Sequence, residues 1–476
     1  MKKIFILLAI LSLSLQLFSQ PSLDGDWTGK ISIMGFELGF ATKFNTENGV
    51  YTGTMDIPEQ KAKDLPLINI KYEFPKLNFD LDVPNGLARF IGEFHDGLVS
   101  GKFIQGGAEG TFTLSKGTGE KKDTIKNDIT AEKVPYRQEE VTFQNDGITF
   151  AGTLTLPKYA GKHPAVILIT GSGPQNRDEE ILGMKPFKML ADYFTRNGIA
   201  VLRYDDRGVG ATSKEITVNE STTDNFAGDV IAAVKFLKTH SNIDNKQIGL
   251  MGHSEGGIVA PMVASRNPND IAFIICMAGT GVNGKEILLE QSKLIMKAEG
   301  ETDDEIKEKT DLMRHIIETV QSGTGIDELL AEGKISLLKE YEQMTDEQKS
   351  SIPDKEKWAE QSASQQIHAY QSLWMKYFMA YDPAPALEKV KCPVLLLFGG
   401  LDLQVPNSQN EKPMVDALTR GRNKDFQVKI FPEANHLFQK AITGGVSEYS
   451  KLPKEFLPGF LEFVNAWIQS RVTVSR

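Results

Sequence analysis

Cysteine is almost absent. The 476 residues include only Cys276 and Cys392. Two thiols make no disulfide framework, and neither has a metal-ligand neighbour along the chain, so both read as small buried hydrophobes. Clusters of positive charge are missing as well. Lys and Arg number 53 against 63 Asp and Glu, the net charge is −10, and basic residues gather only in pairs, which argues against nucleic acid as a partner. Long apolar runs are missing after residue 20. The one candidate, Ile4 to Leu17, is interrupted by Ser12, Ser14 and Gln16 and falls short of the roughly 20 residues a membrane span needs. With Lys2 and Lys3 before it and Leu17-Phe18-Ser19-Gln20 after it, residues 1–20 read as a secretory signal peptide. The expectation is a secreted or periplasmic protein with no stable membrane anchor. The absence of cysteine near residue 20 excludes a lipid anchor there.

What is present has the composition of an ordinary globular protein, 40% hydrophobic and 24% charged, with length for two or three domains. Residues 22–116 are β-rich. Phe36, Leu38, Phe40, Thr42 and Phe44 keep the two-residue period of a strand. Asn48-Gly49 and Asp96-Gly97 mark hairpins, and Gly106-Gly107 marks a third turn. The expectation is an antiparallel all-β domain of about seven strands, a small barrel or sandwich. Homo-oligomerisation through it stays open. Residues 117–135, polar and without apolar pattern, read as a linker.

From 136 to 476 the texture changes. Glu140–Phe143 and Ile148–Leu156 suggest an antiparallel pair around Asn145-Asp146-Gly147. Then apolar runs at 165–169, 200–204, 248–251, 271–275 and 394–398 alternate with helical stretches such as 187–196 and 224–238. This alternation predicts an α/β domain with a mostly parallel sheet covered on both faces. Between about 281 and 382 the alternation gives way to charged helical sequence in which Ile306, Met313, Ile317 and Val320 keep helical spacing. An insertion at this point would lie over the C-terminal ends of the strands and serve as a helical cap; a purely structural helical pair is the plainer reading.

The chemistry centres on Gly252-His253-Ser254-Glu255-Gly256-Gly257. A G-x-S-x-G run between a strand and a helix is the setting of a nucleophile elbow, where small residues admit a strained turn with serine at its apex. His253, beside the serine, is expected to point away. A serine hydroxyl needs a base, and the base an orienting carboxylate, in the chain order Ser, Asp or Glu, His. Of seven histidines, His95, His163, His240 and His253 precede Ser254, and His315 and His368 fall in the helical insertion. His436 alone remains, in a loop after the last strand. Asp402 follows the preceding strand; its rival Asp382 precedes one. The catalytic candidates are therefore Ser254, Asp402 and His436. Oxyanion donors are expected from the N–H of Glu255 and from Ser172 or Gly173, in the turn after the first long parallel strand. Trp374, Tyr377 and Phe378, at the end of the insertion, are core residues or the wall of an acyl pocket. Arg177, Asp178, Asp205, Asp206 and Arg207 read as loop-bracing ion pairs rather than substrate ligands. No metal or cofactor is called for.

Gly171–Asp178, Arg203–Gly210, Gly252–Gly257 and Tyr381-Asp382-Pro383 together resemble a bacterial α/β-hydrolase carboxylesterase family, related to serine aminopeptidase-like and dienelactone hydrolase-like proteins. The resemblance covers about 136–472. It implies the α/β-hydrolase fold with a Ser-Asp-His triad, and hydrolysis of short-chain acyl esters as small-molecule substrates. Dienelactone hydrolases use cysteine where this chain has Ser254, so that activity is disfavoured. Two other readings compete: a serine peptidase or aminopeptidase acting on short peptides, and a non-catalytic surface binding protein, which should have lost part of the triad.

Overall fold

The computed structural model describes residues 22–117 and 134–474, apart from 34–35, 48, 58–61, 84–85, 96, 106–107, 214–215, 351 and 450. The signal segment, the Gly106-Gly107 turn and nearly all of the linker lie outside the described residues. The described chain forms two compact units. One holds the residues before 124 together with Tyr341–Trp358; the other holds those from 125 to 340 and from 359 onward.

The first unit is built on eight strands rather than about seven: β1 (Gly25–Ile33), β2 (Phe36–Glu47), β3 (Val50–Ile57), β4 (Ala62–Glu73), β5 (Lys76–Val83), β6 (Gly86–His95), β7 (Leu98–Gln105) and β8 (Ala108–Lys116). Each pairs antiparallel with the next, and β8 returns to β1, closing a barrel. Closure leaves no open strand edge. The two-residue period sends one face of every strand inward, and aromatic rings fill the interior. Phe79 stacks on Phe90 with centroids 4.5 Å apart, and Phe44, Phe103 and Phe112 are buried around them. An eight-stranded barrel is just wide enough to be filled by side chains in this way.

The second unit opens with the hairpin β9 (Arg137–Asn145) and β10 (Ile148–Leu156). Asp146 and Gly147 both have positive φ at its tip, 50° and 78°, as a two-residue turn of this hand requires. Then follow β11 (His163–Ile169), α1 (Pro186–Arg196), β12 (Ala200–Tyr204), α2 (Thr223–Thr239), β13 (Ile243–His253), α3 (Gly256–Arg266) and β14 (Phe273–Met277). Helices α4 (Gly284–Ala298), α5 (Asp303–Ser322) and α6 (Ile326–Gln343) come next; the end of α6, all of α7 (Asp346–Ser350) and the start of α8 (Lys355–Gln371) fall in the first unit, and the second resumes with the rest of α8, α9 (Leu373–Ala380) and α10 (Ala384–Leu387). The chain finishes with β15 (Val394–Gly399), α11 (Asn407–Arg420), β16 (Phe426–Phe431) and α12 (Phe460–Gln469). The sheet order is β16-β15-β14-β13-β11-β12-β10-β9. Its pairs are parallel except β10 with β9 and with β12.

The continuous apolar runs are explained by burial: every residue of β11, β12, β14 and β15 is buried, with helices packed on both faces. The strand order reverses at β11, which has β12 on one side and β13 on the other. Loops after β11 and β13 therefore meet at the topological switch point where α/β sheets place their sites. The helices end where their sequences say. Thr302 and Glu305 form a reciprocal cap at the start of α5, and Gly323 closes it with φ 71°. Within this unit Ile317, Val320 and Leu329 pack with Ile367 and Met379 in a core of the insertion's own. Among the described residues, no helix is long and apolar enough to cross a membrane.

The barrel's stability should depend on its central ring stack. Phe90→Ala, which empties a site only 1% exposed, is expected to cost that unit about 3–5 kcal/mol. Denaturant unfolding followed through the barrel's Trp27 should show the loss; an unchanged midpoint would refute it.

Candidate active site

Ser254 stands at the junction of β13 and α3 with φ 53°. The left-handed region costs a residue with a side chain about 1–2 kcal/mol and persists only where its surroundings dictate it. Here they do. Ser254 N–H donates to Met277 O at 2.9 Å, and Ser254 O accepts from Gly257 N–H at 2.9 Å. A Cβ at position 252 would sit 1.9 Å from Gly256 O, and one at position 256 would sit 2.2 Å from Ile169 O. Glycine at both positions is therefore a packing requirement, set at Gly252 by the closing of the turn on itself and at Gly256 by its approach to the end of β11.

Asp402 and His436 lie in the loops after β15 and β16, as the last two parallel strands demand. His436 Nδ1–H donates to Asp402 Oδ2 at 2.8 Å. The other carboxylate oxygen, Oδ1, accepts from the N–H groups of Gln404 (2.8 Å) and Val405 (2.9 Å). Burial alone would raise the Asp402 pKa, but His436 and these two N–H donors outweigh it and hold the carboxyl below its ordinary range. The His436 loop is braced from inside: Asn435 Oδ1 accepts from the N–H of both Leu437 and Gln439 at 3.0 Å. The rival Asp382 accepts from Ala384 N–H at the start of α10 and touches neither Ser254 nor His436 in any hydrogen bond. His315 and His368 are exposed.

The His253 ring meets Glu179 and the backbone of His436 rather than Ser254. It is buried, its Nε2 lies 3.0 Å from His436 O, and the two rings are 4.7 Å apart. Its Nδ1 lies 2.9 Å from Glu179 Oε1. Glu179 was not legible as a site residue, because a lone Glu in a polar turn carries no pattern; only the folding of the 170–185 loop over the sheet end reveals it.

The oxyanion candidates fall around the same serine. Glu255 heads α3 with helical φ and ψ of −57° and −35°, so its N–H belongs to the positive end of that helix. Gly171 backs directly onto the elbow: a Cβ there would lie 3.2 Å from Ser254 Cβ. The Gly171 N–H is already engaged, donating to Glu179 Oε1 at 2.7 Å. Ser172 and Gly173 follow it on the exposed side of the loop, Gly173 with φ 90°.

The charged residues of the neighbouring loops form braces. Arg177 holds Asp205 (2.8 Å) and Glu140 (2.5 Å), Arg203 pairs with Asp178, and Arg207 with Asp229 (2.6 Å). Asp206 accepts from Thr170 Oγ1 at 2.7 Å and Gln175 N–H at 3.0 Å, tying the turn after β12 to the turn after β11. The three aromatic candidates separate. Trp374 Nε1–H donates to Glu255 Oε1 at 2.9 Å, bringing α9 to the elbow. Phe378 stacks on Trp374 but is buried against Gly284 in the core. Tyr377 is half-buried and stacks on Tyr381, 5.7 Å away. Among the described residues, no cluster of three or more His, Cys, Asp or Glu could hold a metal ion.

Sheet order, elbow and helical insertion define an α/β-hydrolase. Residues 184–440 match the family described as "Serine aminopeptidase, S33"; the chain belongs to that family and is a hydrolase. Esterase EstD of Thermotoga maritima is 25% identical over 376 residues, covering 77% of this chain and 73% of its own. The thiohydrolase aneE of Aspergillus aculeatus is 32% identical over 133 residues, 28% of this chain and 39% of the relative. Among solved structures, the Pyrococcus furiosus esterase Pf2001 aligns with a TM-score of 0.43 at 13% identity, covering 72% of this chain and 93% of that one.

Glu255 supplies a test of this geometry. Burial raises its pKa from 4.5 to about 7, against the opposing hydrogen bonds from Thr223 and Trp374. A carboxyl whose folded pKa is raised binds protons more tightly in the folded state. Its contribution is therefore intact below the unfolded value and lost as pH rises through the folded one. Glu255→Gln mimics the neutral acid, so its melting temperature should gain on the wild type as pH rises from 4.5 to about 7. Parallel melting curves across that window would show that the carboxyl is not desolvated.

Proposed function

We propose that this protein is a secreted serine esterase that cleaves short-chain carboxylic esters through an acyl-enzyme. The observation that supports the reading most is the His436–Asp402 bond of 2.8 Å, in two loops at the same end of the sheet as a serine held in left-handed backbone. With Nδ1–H committed to Asp402, Nε2 is the nitrogen left to take the Ser254 proton. Ser254 Oγ then attacks the ester carbonyl. The oxyanion that forms is received by the N–H of Glu255 and by Ser172 or Gly173 N–H, since Gly171 N–H is spent on Glu179. The imidazolium, stabilised by Asp402, returns its proton to the departing alcohol. Water follows the same route to release the acid. The esterase names among its relatives favour an ester over an amide, and the pattern of residues 2–20 favours export.

In this reading Trp374 forms part of the acyl wall, because its hydrogen bond to Glu255 fixes it beside the residue that follows the nucleophile. Phe378 supports it from the core.

Ser254→Ala should abolish turnover of p-nitrophenyl acetate, and Asp402→Asn should lower kcat by about 10³- to 10⁴-fold; appreciable turnover by the alanine variant would end the serine assignment. Aminoacyl amides measured beside aryl esters separate an esterase from an aminopeptidase, the former requiring the larger kcat/KM on esters. Trp374→Ala should shift the ratio of butyrate to acetate hydrolysis by about 10-fold or more. An unchanged ratio in a folded variant removes Trp374 from the pocket.

A further inference from the structure

Behind the elbow lies a second acid–histidine pair that the triad does not use. Glu179 and His253 are both buried, with side chains 1% and 2% exposed. Between them they hold the two moving parts of the proposed chemistry. Glu179 Oε1 accepts from Gly171 N–H at 2.7 Å, which fixes the start of the oxyanion loop. His253 Nε2 lies 3.0 Å from the carbonyl oxygen of His436, which fixes the loop carrying the base. Glu179 Oε1 and His253 Nδ1, 2.9 Å apart, join the halves.

The protons of this chain of bonds can be counted. A carbonyl oxygen only accepts, so Nε2 must carry a hydrogen. Gly171 N–H already donates to Glu179 Oε1, so that oxygen is acting as an acceptor toward the backbone. The hydrogen between Oε1 and Nδ1 belongs to Nδ1 when Glu179 is ionised and to Oε1 when it is neutral, and in either form the bond joins the two side chains. The neighbouring carboxylate of Glu179 outweighs the burial that would otherwise neutralise the ring, and the His253 pKa stands above its ordinary value.

We propose that Glu179 and His253 are positioning residues that act as one hydrogen-bonded unit, setting the oxyanion loop and the His436 loop in register on either side of Ser254. The proposal rests on the Ser254–His436–Asp402 reading. Its removal should affect the reacting geometry more than ground-state binding, so it belongs in kcat rather than KM.

The experiment measures kcat and KM on p-nitrophenyl acetate for Glu179→Gln, His253→Gln, the double variant and Ser254→Ala, with folding checked by circular dichroism. Each single variant should lose about 10- to 100-fold in kcat while KM stays within about threefold, as for misplaced oxyanion donors. The double variant should be no worse than the poorer single one, because each change already breaks the unit. If Ser254→Ala is inactive while folded Glu179→Gln and His253→Gln keep wild-type kcat, or if their losses multiply, the pair has no positioning role and the triad reading survives. If Ser254→Ala stays active, the triad reading falls and this proposal falls with it. Should the variants not fold, ¹⁵N-histidine NMR of the unmodified protein decides. One of the seven histidines should show an Nε2–H protected from exchange with solvent, as a buried bond to the carbonyl of His436 requires. The absence of such a ring overturns the proposal.

Discussion

Everything at the site depends on one backbone turn. Ser254 occupies a left-handed conformation that serine avoids, and the surroundings impose it through glycine. Gly252 lets the turn close on the backbone of Gly256, Gly256 lets it sit against the end of β11, and hydrogen bonds to Met277 O and from Gly257 N–H tie both of its ends. The strain is small beside the burial of β11, β13 and β14, whose apolar faces pay for it many times over. Because the sheet is rigid, the serine's position is fixed relative to the loops after β11, β15 and β16, and each of those loops brings one element of the chemistry.

The loops are held by polar groups rather than by packing. Asp402 is orientated by two backbone N–H donors before it meets His436. The His436 loop is closed on itself through Asn435. Arg177, Arg203 and Arg207 clamp the turns after β11 and β12 with buried or half-buried carboxylates. Such charges are tolerated inside a protein only with their bonds satisfied, so each brace has a narrow set of geometries in which it is stable. That is what gives irregular segments the precision catalysis requires.

The sequence made much of this legible. Periodicity identified the antiparallel N-terminal region, the buried parallel strands and the helical insertion, because two-residue, continuous and 3.6-residue apolar patterns follow directly from which faces are covered. Ser254, Asp402 and His436 could be singled out because few residues of the right type lie at the ends of the right strands. Glu179 and His253 could not be. Neither belongs to a spacing pattern, and the partners of His253 approach from 74 and 183 residues away in the chain. The barrel's eighth strand was likewise obscured, since short strands with polar outward faces blur into their turns.

Local chemistry thus determined the elements and the candidate residue types: glycine spacing permits the elbow, apolar runs make the strands, and a histidine follows the last strand, where the proposed base belongs. Only tertiary structure decided which groups surround them. The closing of β8 on β1, the contact of Trp374 with Glu255, and the pairing of Glu179 with His253 join residues remote in sequence. Their meeting is governed by sheet order and loop path, and no local pattern of residues encodes either.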